Sequence, residues 1–390
     1  MKEQLRFLIF DLDGVITSEK KYWNTARLTV WDLIAGENYL GLSNYFGGGS
    51  DVSSRLLQVG KTVIPDNFIY ELKSRAINSN WDLTFFVAGL HLVGILSKFR
   101  QDYPDSYLDI LNRNSIPVTA KLQQLGRLLP AQEYNYKLSH SIIESFWEKT
   151  SSLTGSTVLE YLSSFTSKKL GASLPSFLES KGELWQLCYR NFQEWYEGKR
   201  GYSLPDDDTV LDLTSIDNSL KILHNSGRYS LAIATGRPRV EVIQPLGNLG
   251  VLSYFDQERI VTYDEVLEAE SIVSLSYPNQ KLGKPHPFVL LKAIHPEQNV
   301  DIFCTEEFQK KNRQYAAYIG DAASDVVAAK QAGCIAIGVL TGFDGGKYRE
   351  NDEGKKQEKK YQMLADLGCD VILSSIVELP ELLGVREELN

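Results

Sequence analysis

Four short stretches of this 390-residue chain carry side chains suited to chemistry. The first is Phe10-Asp11-Leu12-Asp13-Gly14. Alternation along a strand sends Asp11 and Asp13 to the same side, and Gly14 lets the chain leave tightly. Two carboxylates about 5 Å apart repel by roughly 3 kcal/mol at an effective dielectric of about 20. A bound cation, a shared proton or a nearby lysine must offset that. Alone, the same four residues read as a turn or a helix-capping pair.

The second stretch is Ala234-Thr235-Gly236-Arg237-Pro238. A hydroxyl at a strand end, followed by free backbone N–H groups opening a helix, makes a cradle for an oxyanion or phosphate. Pro238 suits the first helical turn, and a plain N-cap role for Thr235 stays open. Arg237 has two readings of equal standing: it reaches a substrate carboxylate or phosphate, or it pairs with a surface acid at the helix start. The third is Gly283-Lys284-Pro285-His286-Pro287, where two prolines hold Lys284 on stiff backbone. Its ammonium could hold a phosphoryl oxygen and the Asp11 carboxylate together, although a single Lys is most often exposed. His286 reads as structural. The fourth is Gly320-Asp321-Ala322-Ala323-Ser324-Asp325. Asp321 and Asp325 share a side if the segment turns helical. Such oxygen-only donors suit Mg²⁺; Asp325 as a simple helix cap is the alternative.

These stretches need a scaffold. Strand-like apolar runs fall at Phe7–Phe10, Tyr229–Ala234, Tyr315–Ile319, Ile335–Leu340 and Val371–Leu373, with a weaker one at Ile260–Thr262. Helical patterns lie between the later runs. One carries Ile216, Leu220 and Leu223 with Ser215 as N-cap and Gly227 as its end, and another runs from Asp325 to Ala332 up to Gly333. Strands alternating with helices specify a parallel sheet covered on both faces. Ligands of such sheets sit at the carboxyl ends of the strands, where all four stretches fall. Between the first strand and the rest the spacing turns helical, most clearly at Leu184, Cys188, Phe192 and Trp195. Gly47-Gly48-Gly49, Pro104, Pro117 and Pro130 punctuate that insert, and the return lies near Gly201 to Asp208. The expected division is a core of 1–17 and 208–390 and a helical insert of 18–207. The run from Lys347 to Lys360 is dense in charge and reads as a solvated loop or helix face.

Composition narrows the class. A net charge of −9 and no long basic run argue against nucleic-acid binding. The most apolar stretch, Phe85 to Leu96, holds twelve residues including His91, where a membrane span needs roughly 20, so it reads as a buried helix. No basic-then-apolar leader opens the sequence. Four scattered cysteines (Cys188, Cys304, Cys334, Cys369) read as reduced thiols of a cytoplasmic protein.

Taken in order, the four stretches resemble the haloacid dehalogenase (HAD) superfamily, with its D-x-D-G loop, its Thr or Ser after the second strand, its Lys in a G-K-P-x-P loop, and G-D-x-x-x-D. The likeness covers Met1 to about Thr17 and about Asp208 to Asn390. It implies a Rossmann-like doubly wound α/β core with a mostly helical inserted cap. The insert is far larger than a usual helical cap and is similar to a bacterial subgroup of HAD-like hydrolases with oversized helical caps. The resemblance implies that Asp11 attacks phosphorus and that Asp13 protonates the leaving oxygen and then activates water. Thr235, the Gly236 N–H and Lys284 would hold the phosphoryl oxygens. Mg²⁺ would be held by the Asp11 carboxylate, the Asp13 carbonyl and Asp321, with Asp325 direct or through water. The expected activity is a phosphatase acting on a small phosphorylated metabolite. A phosphomutase shares these motifs. A dehalogenase is disfavoured because halide departure needs neither Asp13 nor a metal, and a phosphonate hydrolase would need a Schiff-base lysine such as Lys20 or Lys21. A non-catalytic partner-binding protein would use the aromatic cap (Trp31, Trp81, Trp185, Trp195), which reads more simply as cap core. The cap is expected to close over the pocket, hinging near Thr17–Ser18 and Gly201–Asp208, with Glu19, Lys20 and Trp23 the first candidates for selectivity.

Overall fold

Six short strands form the centre of the computed structural model: β1 (Phe7–Phe10), β2 (Ser230–Ala234), β3 (Ile260–Val261), β4 (Ala316–Gly320), β5 (Ile335–Val339) and β6 (Val371–Leu373). All pair in parallel, in the order β3-β2-β1-β4-β5-β6. Each run expected from sequence is present, with ends displaced by about one residue, as hydrogen-bonding at strand termini commonly dictates. The structure describes residues 4–42, 60–75, 77, 79–99, 106–129, 136–153, 155–170, 178–205, 208–277, 280–342 and 353–385. Gly47-Gly48-Gly49, Pro104, Pro130 and Lys347 lie outside them.

The strands read as continuous apolar runs because both faces are covered. Period-two alternation divides each strand between two cores. Leu8, Phe10, Leu231, Ile233, Ala317 and Ile319 join one cluster, whereas Ile9, Ala232, Ala234, Ala316 and Tyr318 join the other. Helices close the two faces. One spans Leu213–Asn225 and buries Ile216, Leu220 and Leu223. Its cap is Asp212, whose carboxylate accepts the Ser215 N–H at 2.9 Å. Ser215 is therefore inside the first turn, and the helix starts earlier than the apolar stripe alone indicates. A second helix, Ala323–Gln331, follows β4.

The chain divides into two compact units, Met1–Glu19 with Asp206–Asn390, and Lys20–Pro205. The first holds the sheet. The second is helical, and its longest element, Asn80–Phe99, includes a window over Asn80–Ser97 that is long and apolar enough to cross a membrane. That window is 78% buried inside the structure. His91 is fully buried there and its Nε2 lies 2.8 Å from the Val63 carbonyl. The helix Glu183–Tyr196 buries Leu184, Cys188, Phe192 and Trp195 as its spacing requires. Trp185 is buried as well, stacked on Tyr189 with its indole N–H donated to Asp82, while Trp81 donates to Gln193. Trp23 and Glu19 are buried and Lys20 is exposed.

Candidate active site

The strand order changes direction at β1: the chain steps out through β2 to β3, then returns to the other side of β1 for β4. A crevice opens at the carboxyl end of the sheet at such a switch point. Asp11 stands there, directly after β1, with its backbone N–H donated to Ile319 at 2.8 Å. It is only 5% exposed. Lys284 reaches it from the proline-bounded loop: its Nζ is 2.9 Å from Asp11 Oδ2, 2.8 Å from Asp325 Oδ1 and 3.1 Å from the Tyr318 hydroxyl. Tyr318 in turn donates to the Ala234 carbonyl at 2.9 Å. One side chain from β4 therefore ties the end of β2 to the lysine that holds Asp11. Tyr318 was not among the residues singled out from sequence. Its signal was a hydroxyl near the end of an otherwise apolar strand.

Burial dominates the electrostatics. Removal from water pushes the Asp11 carboxyl up to about 7, with Asp325 and Asp13 adding to the rise and Lys284 opposing it. The same burial works against the Lys284 ammonium, but the Asp11 and Asp325 carboxylates outweigh it and raise its pKa well above the usual lysine value. Burial, with Asp11 and Asp325 beside it, likewise raises the Tyr318 phenol. The group is thus a charged pair under strain, with one carboxylate more basic than usual.

Asp325 fills the capping role that the sequence offered as its alternative, and it also pairs with Lys284. Its Oδ2 accepts the N–H groups of Asp321 (3.1 Å) and Ala322 (3.0 Å), capping the following helix, while Oδ1 takes Lys284. His286 is structural, as expected. Its Nδ1 accepts the Phe288 N–H at 3.1 Å, and burial lowers the imidazole to about 4.

Asp13 is held by a different cation. Arg237 donates Nε to Asp13 Oδ1 at 2.8 Å, and its Nη2 also contacts Oδ1. The repulsion between Asp11 and Asp13 is thus offset by separate partners. Arg237 is only 2% exposed, so it is not a surface ion-pair residue, and its nitrogens are turned to Asp13 and to the Ser18 and Glu241 carbonyls rather than standing open to a phosphate. That is a departure from both readings of the sequence. Its own N–H is 3.3 Å from Thr235 Oγ1, so Thr235, 1% exposed, closes a local turn. The helix after this turn begins at Val240, and Pro238 therefore precedes it rather than occupying its first turn. Gly236 is exposed, and a Cβ built on it would meet nothing within 4 Å, so its backbone faces open space.

Asp321 lies 5% exposed beside the others. Asp11, Asp321 and Asp325 each offer an oxygen within 4.8 Å of one another. Asp11 Oδ1 is buried and has no hydrogen-bond partner among the described residues. An orphaned buried carboxylate oxygen carries a cost unless something positive meets it. An all-oxygen donor set with one such oxygen fits a hard divalent cation of the Mg²⁺ type. Backbone space is tight here. Gly14 has φ +74°, and a Cβ on it would lie 2.5 Å from Asp321 Oδ2. Lys360 was read as part of a solvated run, yet its Nζ is 3.0 Å from Asp321 Oδ2 and also donates to the Thr341 carbonyl. Only its position in a charge-dense helix was legible beforehand; nothing local marked it among its neighbours.

The family model described as haloacid dehalogenase-like hydrolase matches residues 142–339, just over half of the chain. That span contains Thr235, Lys284, Asp321 and Asp325 and omits Asp11 and Asp13. No curated protein matches the sequence. Among solved structures, a structural-genomics target is 26% identical with a TM-score of 0.71, the match covering 97% of this chain and 98% of that one. A predicted phosphoglycolate phosphatase from Haemophilus somnus 129pt is 12% identical with a TM-score of 0.40 over 97% of this chain and 98% of its own, a likeness too loose to carry an argument. With a family model matched over more than half of its length and a parallel sheet in this order, the chain belongs to the haloacid dehalogenase-like hydrolases.

Proposed function

We propose that this protein is a Mg²⁺-dependent phosphomonoester hydrolase that passes the phosphoryl group of a small metabolite through Asp11. One observation carries the reading. A buried carboxylate with one oxygen on Lys284 and the other without a partner among the described residues stands beside two further aspartates at the switch point of the sheet. Such a group is oriented by its cation and still has an oxygen to offer.

The residues suit two successive displacements. In the first, an Asp11 oxygen attacks phosphorus and the bond to the leaving oxygen breaks, with Asp13 giving its proton so that an alcohol departs. In the second, Asp13 takes a proton from water, the hydroxyl oxygen attacks phosphorus, and phosphate leaves as Asp11 regains its carboxylate. Lys284, the Thr235 hydroxyl and the Gly236 N–H would hold the phosphoryl oxygens and restrict the phosphorus to the line of attack. Asp11, the Asp13 carbonyl and Asp321 would hold the metal. Asp325 would act through water, because its oxygens already serve Lys284 and two backbone N–H groups. Mg²⁺ there would neutralise charge shared between the aspartates and the phosphoryl oxygens. Free thiols at all four cysteines fit a reducing compartment, which supports a cytoplasmic location.

The test is release of inorganic phosphate from a panel of small phosphate esters with Mg²⁺, read against Asp11→Asn. Release abolished in the variant supports the reading, and equal release from both proteins contradicts it. Isomerised sugar phosphate without net release would assign a phosphomutase instead.

A further inference from the structure

We infer that Arg237 is a positioning residue for Asp13 and not a ligand of the phosphoryl group. The inference rests on the hydrolase reading above. Arg237 offers five N–H donors in a rigid fork, and the protein engages every nitrogen that bears them. Nε and Nη2 both meet Asp13 Oδ1, Nη2 lies 3.3 Å from the Ser18 carbonyl, and Nη1 lies 3.5 Å from that of Glu241.

The arginine is itself fixed. Its backbone N–H meets Thr235 Oγ1 at 3.3 Å, and its carbonyl accepts the Tyr263 N–H at 2.9 Å. A guanidinium anchored at both backbone and side chain fixes whatever carboxylate it holds. Both contacts fall on one oxygen of Asp13, so the other is left to exchange a proton with the leaving group and then with water. The acid–base carboxylate is thereby set by the same turn that carries Thr235 and Gly236. Cradle and proton donor keep one register.

A lysine cannot reproduce this fork, which gives the experiment. For the full chain with Mg²⁺, kcat/KM reports steps up to departure of the leaving group. An alkyl phosphate needs a proton on that oxygen, whereas p-nitrophenyl phosphate expels a stable anion. General acid catalysis contributes about 10²-fold or more, so Arg237→Lys is expected to lower kcat/KM for the alkyl ester by about 10²-fold and for the aryl ester by less than about tenfold. Asp13→Asn should show the same contrast, and adding Arg237→Lys to it should cost nothing further. Inhibition by inorganic phosphate should be unchanged in Arg237→Lys. Equal losses on both esters, additive losses in the double variant, or weaker inhibition by phosphate would each overturn the inference. If Arg237→Lys does not fold, Arg237→Gln is read by the same three comparisons. A wild-type protein silent on both esters would instead sink the hydrolase reading, and this inference with it.

Discussion

Lys284 is the residue whose removal should be most costly. Its Nζ stands 2.9 Å from Asp11 Oδ2 and 2.8 Å from Asp325 Oδ1, and its side chain is 11% exposed. At an effective dielectric of about 20, each contact is worth about 6 kcal/mol of Coulomb attraction. Desolvation cancels much of that. Deleting one partner of a buried pair nevertheless costs about 3–5 kcal/mol, because the other charge is left behind. Lys284→Met should therefore lose about 3–5 kcal/mol of unfolding free energy at pH 8 in chelator-treated protein. The loss should depend on pH. The Asp11 carboxyl is raised in the folded state to about 7 from 3.8, so its stability contribution is whole below 3.8 and is lost as pH rises through about 7. Lys284 opposes that rise only when Asp11 is ionised. The penalty of Lys284→Met should then be smaller at pH 5 than at pH 8. Urea unfolding of both proteins at the two pH values measures it. A penalty under about 1 kcal/mol at pH 8, or one equal at both pH values, would refute the reasoning.

Asp325→Asn should abolish phosphate release and destabilise the metal-free protein by about 1–3 kcal/mol, since one oxygen that serves Lys284 or two backbone N–H groups is replaced by a donor; an active, equally stable variant would contradict the site geometry. Lys360→Gln removes an ammonium 3.0 Å from Asp321 and should tighten Mg²⁺ binding by about tenfold in calorimetric titration. Weaker binding would show that Lys360 chiefly orients Asp321. Gly14→Ala should cost roughly 1–2 kcal/mol from its left-handed backbone, and should weaken Mg²⁺ binding because the new Cβ would fall 2.5 Å from Asp321 Oδ2. Unchanged metal titration would argue against that crowding.

The sheet was legible because strands buried on both faces leave continuous apolar runs, and chemistry-bearing residues follow β1, β2 and β4 at their carboxyl ends. Leu184, Cys188, Phe192 and Trp195 likewise marked a helix, because one stripe faces a core. Pairing between side chains was less legible. Nothing in Thr235-Gly236-Arg237-Pro238 says that the guanidinium folds back onto Asp13, since the contact joins residues far apart in the chain. Lys360 was hidden for the same reason. In a run of charged residues, which ammonium turns inward is decided by the helix phase and by Asp321 at its side. Ser215 was misplaced as a cap because the exposed residues Leu211 and Leu213, at 37% and 40%, break the link between apolar character and burial at the helix start.

The central claim is that Asp11 becomes phosphorylated. Mixing the Mg²⁺-loaded protein with a turned-over phosphate ester, quenching in acid within the first turnover and mapping peptides by mass spectrometry tests it directly. The account predicts one phosphoryl group on the peptide bearing Asp11, absent from Asp11→Asn. Steady ester hydrolysis with no phosphoryl group on that peptide at any quench time would contradict it.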